Sequence, residues 1–216
     1  MPAATPPQEA RRRPARLPRE QRRSQLLDVA GDLIAERGLA SVTMEAVAAR
    51  AGVSKGLGYA YFDNSADLLV ALFDREMAAL DARVTDALVG AVTFEEKLRA
   101  MLLAWFDVIA DRGALMAALY VPDAAGKLAT RRRSRSRDVQ RFLALLAVEE
   151  LHLDEARSET AAAILLAGTN GALEQWIGRR ASRYELVDMF VTMAVGAISA
   201  LAADDAAPDD RSAPSR

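Results

Sequence analysis

Proline is almost absent from the middle of this chain. Of its eight prolines, only Pro122 falls between residues 19 and 207. Because a proline in a helix interior costs roughly 3 kcal/mol, the long body of the chain is free to be helical. It is also rich in alanine, leucine, arginine and glutamate, and no segment alternates polar and apolar residues as strands do. The sequence therefore predicts an all-α fold.

Apolar spacing and capping residues divide the body into about nine helices. The first is predicted to end at Gly38. Thr43 and Ser54 are the predicted N-caps of two short helices that follow, and Asn64 or Ser65 begins a long one.

The later helices are marked in the same way. Thr93 with Glu96 and Ser182 with Glu185 form capping-box patterns that predict two helix starts. Three further segments are predicted to be helical: a short apolar one over 114–121 that stops at Pro122, a basic one over 127–149, and one over 155–180.

The net charge of −2 conceals an uneven distribution. Residues 1–60 carry ten Arg and Lys against six Asp and Glu, a balance of +4, so the other residues carry 18 against 24, a balance of −6. The proline-containing ends, 1–18 and 204–216, are predicted to be disordered. A basic front on an acidic body suits a polyanionic partner at that end. A solvated tail with no partner is the alternative.

The composition excludes several kinds of site. With no cysteine and one histidine, the chain has no disulfide frame, no thiolate metal site and no cysteine nucleophile. The motifs HExxH, GxSxG and GxxxxGK[ST] are absent, and the glycines of GLGYAY lack the third glycine of a dinucleotide site. We therefore predict no enzyme, no metal and no cofactor. The start lacks a signal-peptide core, and no uninterrupted apolar run reaches the ~18 residues of a membrane span, which suits a cytoplasmic protein without membrane contact.

The two short helices have the spacing of a helix-turn-helix. Ala48 lets a second helix cross closely, Gly52 permits a left-handed turn between the helices, and Val53 fills the corner. A short second helix of small residues fits a DNA major groove, where tyrosine hydroxyls can reach phosphates. The alternative is an ordinary helical hairpin with Tyr59 and Tyr61 in the core, and for Tyr61 it stays open.

The segment RGLASVTMEAVAARAGVSKGLGYAYFDNSADLLVAL, residues 37–72, resembles the DNA-binding domain of the TetR family of bacterial transcriptional regulators. The resemblance rests on three motifs: T-M-x-x-V-A-x-x-A-G-V-S-K-G, Y-x-Y-F and the L-L that opens the long helix. The rest of the chain agrees in length and helix order. The resemblance implies a homodimeric regulator, a repressor that binds a palindromic DNA operator and is released by an apolar small molecule.

Four regions follow from this resemblance: a basic arm over 1–18, a helix-turn-helix domain over 19–65, a ligand-binding and dimerisation domain over 66–203, and a tail over 204–216. Thr43 caps its helix and its hydroxyl reaches a phosphate. The predicted DNA-binding residues are Arg16, Arg19, Thr43, Ser54, Lys55, Gly56, Leu57, Tyr59, Ala60 and Tyr61.

Two residues depart from the family pattern. Gly58 stands where the family usually has Leu or Ile in the core, so we expect a void there, or Leu57 turned inward, and a loose recognition helix. Ser65 stands where the family often has a lysine that binds a phosphate. These departures support a second hypothesis, a helical ligand-binding protein with impaired or lost operator binding.

The body supplies weaker candidates. An apolar ligand pocket is predicted from aromatic, methionine and amide residues, although ordinary core packing explains such residues equally well. Its members are Met101, Trp105, Met116, Tyr120, Phe142 and Asn170. Small and apolar residues on the last two helices predict a dimer interface, with an intramolecular core as the alternative. Its members are Gly168, Gly171, Trp176, Phe190, Ala197 and Leu201. The basic run 127–141 is predicted to be a solvated face balanced by nearby acids.

Overall fold

A computed structural model describes residues 17–120, 126–177 and 182–206 of the chain. Within these residues there are eight α-helices, one short 3₁₀ turn and no strand, which confirms the all-α fold and is close to the predicted helix number. The helices are α1 Arg19–Arg37, α2 Met44–Arg50, α3 Lys55–Tyr59, α4 Ser65–Ala87, α5 Phe94–Leu119, α6 Lys127–Leu151, α7 Glu155–Ile177 and α8 Arg183–Ala206.

The predicted helix starts are confirmed by their capping hydrogen bonds. The side chains of Thr43, Ser54 and Asn64 accept bonds from backbone N–H groups in the first turns of α2, α3 and α4. These bonds satisfy donors that a helix start otherwise leaves without partners. Both capping boxes form, Thr93 with Glu96 at the start of α5 and Ser182 with Glu185 at the start of α8.

Two large apolar clusters form the core. The first joins α1, α2 and the start of α4 to the end of α5 and to Leu128 of α6. The second lies farther along the chain and joins the first part of α5 to α6, α7 and α8. Trp176 packs against both clusters. We call α1 to α3 the head and the remaining helices the body.

The short helix predicted over 114–121 is the last part of α5. The backbone leaves helical geometry at Arg112, with φ −133° and ψ 27°, and then resumes the helix as far as Leu119. Leu115, Met116 and Leu119 are buried in the first apolar cluster beside α1. The predicted stop at Pro122 lies outside the described residues.

The basic run of α6 is balanced by acids, as the sequence predicts. Three of its cations pair with aspartates spaced seven residues apart on α4. These pairs are Lys127 with Asp67, Arg131 with Asp74 and Arg135 with Asp81. The long helix that leaves the head is therefore tied to the first half of α6 by a row of ion pairs, which we call the α4–α6 ladder.

Candidate DNA-binding surface

The helix-turn-helix forms as its glycine and caps dictate. Gly52 has φ +66°, the left-handed conformation that glycine adopts without strain. The turn closes when the N–H of Val53 donates to the carbonyl of Ala48 at 3.0 Å. Ser54 then caps α3 by accepting a bond from the N–H of Leu57 at 3.2 Å. The two helices consequently cross at a fixed angle, with only three residues between the end of α2 at Arg50 and that cap.

Gly58 is buried at this crossing, and the expected void is not there. A Cβ atom on Gly58 would lie 3.3 Å from Cε of Met44 and 3.9 Å from Cβ of Ala48. Met44 of α2, which is 3% exposed, therefore fills the space that a larger residue takes in the family. Leu57 is half-buried, but the space is already closed without it. This packing removes the main reason to expect a loose recognition helix.

The outer face of α3 is small and open. Lys55, Gly56 and Ala60 are exposed, and nothing lies within 4 Å of where a Cβ on Gly56 would stand. Tyr59 is 42% exposed beside them. This face admits close approach of a large polar surface, and its one cation and one phenol suit phosphate contacts.

The other predicted DNA-binding residues are distributed around α3. Thr43 is exposed at the start of α2 and accepts a bond from the N–H of Ala46 at 3.1 Å. Arg19 is exposed at the first position of α1. Tyr61 is half-buried against the first apolar cluster, so its ring is partly core, as the alternative reading allowed. Arg16 lies outside the described residues.

The acid that pairs with Lys55 on this surface was not predicted from the sequence. Glu45 of α2 pairs with Lys55, and this hydrogen bond lowers the pKa of the Glu45 carboxyl and raises that of the lysine. The Lys55 ammonium also lies 5.7 Å from the centre of the Tyr59 ring. Lys55 is thus held in place on the free protein by a surface ion pair, which is weak enough for a phosphate to displace. No spacing rule links residues on two crossing helices, so the sequence carries no signal of this pair.

Replacing Tyr59 with phenylalanine tests whether its hydroxyl holds a phosphate. A hydrogen bond to a charged phosphate contributes about 1.5–3 kcal/mol, so operator affinity should fall about 10- to 150-fold. The loss should be equal for operators that differ at any one base pair, because phosphate contacts carry no sequence information. Binding titrations on a set of single-base variants measure this. A loss confined to one base position would assign Tyr59 to base reading.

Some of the residues predicted to line the ligand pocket lie together in the structure, and the others lie apart from them. The Tyr120 ring lies 5.3 Å from the Trp105 ring and 5.9 Å from that of Phe73, between centroids. Its hydroxyl lies 3.0 Å from the sulfur of Met77, and Met116 belongs to the same apolar cluster. Met101 instead packs in the second cluster.

The other two predicted pocket residues do not join this group. Phe142 is 43% exposed on α6, and the side chain of Asn170 lies outside the described part of the structure. An open groove of about 400 Å³ lies between α4 and α5 and is lined by Arg83, Asp86, Ala87, Ala100, Leu103, Ala104 and Asp107.

The Tyr120 hydroxyl should lose its proton at an unusually high pH. Burial raises the pKa of its hydroxyl from 10.0 to about 12. Between these values the unfolded chain loses the proton and the folded chain keeps it, so the wild type should lose stability as the pH rises from 10 to 12. Phenolate absorbance should show a late step that Tyr120→Phe removes, and that variant should lose less stability across this range. A titration without this late step would place the hydroxyl in contact with water.

The predicted interface residues divide into internal and outward positions. Gly168 and Phe190 pack on each other inside the chain, because a Cβ on Gly168 would lie 2.9 Å from Cε2 of Phe190. Trp176 packs edge-on against Phe106, with 5.2 Å between ring centroids. Gly171 and Ala197 are exposed. For the first three residues, contacts within one chain account for the side chains.

The outward face of α7 and α8 is strongly apolar. It includes Ile164, Met189, Met193 and Leu201, which are 67%, 53%, 68% and 40% exposed. By length and composition residues 183–203 of α8 are apolar enough to cross a membrane, yet only 28% of that segment is buried within the chain. Four large apolar side chains exposed on two adjacent helices suit a surface that another molecule covers.

Comparisons with known proteins show which proteins this chain resembles. The model of the family described as bacterial regulatory proteins, tetR family, matches residues 26–72, which contain the helix-turn-helix. Residues 26–72 form a DNA-binding domain of the TetR family. Over 103 residues it is 38% identical to the HTH-type transcriptional activator FasR of Mycolicibacterium smegmatis, an alignment that covers 48% of this chain and 47% of that protein. The chain thus spans about half the length of the curated relatives that it matches.

Solved structures extend the similarity of fold to the body. A tetR-family transcriptional regulator from Streptomyces coelicolor is 25% identical, with a TM-score of 0.67 over 88% of this chain and 85% of that one. The transcriptional regulator FadR from Bacillus subtilis, in complex with stearoyl-CoA, is 21% identical, with a TM-score of 0.68 over 80% of this chain and 97% of that one. The TetR fold therefore extends well beyond the matched head.

Proposed function

We propose that this protein is a ligand-responsive transcriptional regulator that binds a palindromic operator as a homodimer. The observation that carries the proposal is the open face of α3, held by Gly52, Ser54 and Met44 in a helix-turn-helix that the tetR family model matches. A helix this short reads only a few base pairs, so an operator of useful specificity needs two heads about one DNA turn apart, ~34 Å. Because a bacterial operator lies in the cytoplasm, the proposed location of the protein is the cytoplasm.

A second copy is the proposed cover of the apolar face on α7 and α8. Self-association through a two-fold axis lets one patch cover itself, and the exposed small residues Gly171 and Ala197 permit close approach of helices. The same contact holds the two heads at a fixed separation. The domains of the prediction, a head over 19–65 and a ligand-binding and dimerisation body over 66–203, are part of this proposal.

The proposed effector is an apolar molecule with a long acyl chain. FadR, which shares the fold, is named as a complex with stearoyl-CoA, and the body here has aromatic and thioether side chains that suit a hydrocarbon. Trp105 and Tyr120 pack where the end of α5 meets α4. An apolar chain that inserts at this point separates the two helices and releases DNA. We propose repression relieved by this effector, although the relative FasR is named an activator.

A titration of DNA and effector tests the proposal. Labelled DNA that flanks the protein's own coding region is mixed with the full chain, with excess random DNA as competitor. We expect a sequence-dependent shift with a steep salt dependence, about −0.9 in the log–log slope for each phosphate neutralised. Stearoyl-CoA should release the DNA over the concentrations at which it changes the fluorescence of Trp105 and Trp176, the chain's two tryptophans. Tight ligand binding without any DNA complex would instead support the helical ligand-binding protein of the second hypothesis.

A further inference from the structure

A buried carboxylate lies where the head meets the body. Among the described residues, Glu76 of α4 is the one buried ionisable side chain, and it is 3% exposed. Its Oε1 accepts hydrogen bonds from Nε and Nη2 of Arg75, at 3.3 and 3.1 Å. Its Oε2 lies 3.2 Å from Nε of Arg112. Two guanidinium groups therefore meet at one carboxylate.

The two arginines connect Glu76 to different parts of the molecule. Arg75 also donates from Nη1 to Asp28 of α1, at 2.6 Å, and so reaches the head. Arg112 is the residue at which α5 leaves helical geometry. A continuous row of charged contacts, which we call the junction network, thus runs from Asp28 through Arg75 and Glu76 to Arg112.

The broken part of α5 packs directly against α1 beside this network. At Gly31 of α1, a Cβ atom would lie 3.7 Å from Nη2 of Arg112 and 3.6 Å from Cδ2 of Leu115. These are ordinary van der Waals distances, so the two helices are in contact at this point. Beyond the break, Leu115, Met116 and Leu119 are buried in the first apolar cluster. The head is thus joined to the body by apolar contacts on one side and by the junction network on the other.

The junction network contributes little to stability, but it constrains the orientation of the head on the body. Burying a carboxylate costs several kcal/mol, and apolar replacements of such groups are often as stable. Apolar contacts are non-directional, whereas charge-assisted hydrogen bonds constrain angle as well as distance. The apolar contacts hold the head on the body, and the network selects one orientation among those that the apolar contacts allow.

We propose that Glu76 is a positioning residue for operator reading, which fixes the orientation of the head on the body through Arg75 and Arg112. The proposal rests on the proposed function in that a fixed head orientation sets the distance between the two half-sites that a dimer accepts. Glu76 itself is buried and acts through the position of α1 and of the helix-turn-helix that α1 carries.

The decisive experiment measures head orientation without DNA. Because the chain has no cysteine, Ala40 in the head and Glu159 in α7, both exposed, can be replaced by cysteines and spin-labelled. Dilution with unlabelled protein isolates the distance within one chain. Glu76→Gln keeps the shape and one acceptor but removes the charge, and we expect its distance distribution to be broader than that of the wild type.

The chain offers a matched control. Arg83 and Asp111 also join α4 to α5, at 2.8 Å, but both are exposed and their ion pair is not part of the junction network. Asp111→Asn should leave the distance distribution unchanged. Asp28→Asn removes only the exposed head end of the network, so it cannot empty the core, and it should broaden the distribution less than Glu76→Gln. Equal distributions for the wild type, Glu76→Gln and Asp28→Asn would overturn the proposal, whatever the melting temperatures show.

Operators with altered spacing give a functional readout. Half-sites are moved apart or together one base pair at a time, and a single half-site serves as reference. With Glu76→Gln we expect affinity for the best spacing to fall about 3- to 30-fold, within the range seen for coupling residues, while half-site affinity stays unchanged and the spacing preference flattens. An equal loss on half-site and full operator would mean that Glu76 supports folding alone. Absence of DNA binding by the wild type would refute the proposed function, and the spin-label distances would still decide the role of Glu76.

Discussion

Replacing Gly171 with leucine should dissociate the dimer and, with it, the operator complex. Within one chain nothing lies within 4 Å of a Cβ at this position, and the residue is exposed on α7. A leucine there fits the monomer and improves helix propensity by about 1 kcal/mol. The substitution should therefore leave the fold of the monomer intact.

In the proposed dimer, with Gly171 in the interface, the added side chain would meet the partner copy. Overpacking costs about 1–3 kcal/mol at each site, and a two-fold axis places two such sites in the same interface. We expect dimer affinity to fall about 30-fold or more, since each 1.4 kcal/mol is a factor of ten. Operator affinity should fall in parallel, because a single head reads too few base pairs. Sedimentation equilibrium and binding titrations on one sample measure both.

Two matched variants separate this effect from general damage. Ala82→Leu adds similar apolar volume on an exposed position of α4, which packs against α1, α5 and α6, so it should change neither dimer nor DNA affinity. Gly168→Leu should lower the melting temperature of the monomer, because Phe190 occupies the space within the same chain. A Gly171→Leu protein that stays dimeric would place the interface elsewhere.

The sequence predicts best the features that depend on neighbours along the chain. The N-caps at Thr43, Ser54 and Asn64 bond within their own first turns, so local residue types suffice to place them. Gly52 is similarly local, because its positive φ is a property of one residue. The head was predicted from such signals and from the family pattern that they form.

The features that the sequence did not predict depend on residues distant along the chain. Gly58 was expected to leave a void, and only the crossing of α2 and α3 brings Met44 into it. Trp176 was assigned to an interface, but it packs on Phe106 far along the chain. Asp67, Asp74 and Asp81 do recur every seven residues, yet nothing in that pattern identifies α6 as the partner helix. Tertiary contacts decide the role of a side chain whose type suits several roles.

Gly58 provides the sharpest test of the packing in the head. The family usually has Leu or Ile at this position, which alone would favour Gly58→Leu as a stabilising change. The structure reverses that expectation, because Cε of Met44 lies 3.3 Å from where the new Cβ would stand, which is closer than ordinary van der Waals contact, and a leucine adds three further carbon atoms there. We expect Gly58→Leu to destabilise the protein by about 1–3 kcal/mol, the usual cost of overpacking. Thermal and urea unfolding measure this loss.

The identity of the obstructing atom gives the control and the rescue. Cε is the free end of a flexible side chain, so Gly58→Ala needs Met44 to move only slightly and should gain up to about 1 kcal/mol of helix propensity. Met44→Ala alone should cost about 2–5 kcal/mol through the cavity that it leaves. In the double variant Met44→Ala/Gly58→Leu the new side chain fills that cavity, so the combined loss should be smaller than the sum of the two single losses. Additive losses, or a Gly58→Leu protein more stable than the wild type, would show that Met44 does not occupy the space at the crossing of α2 and α3.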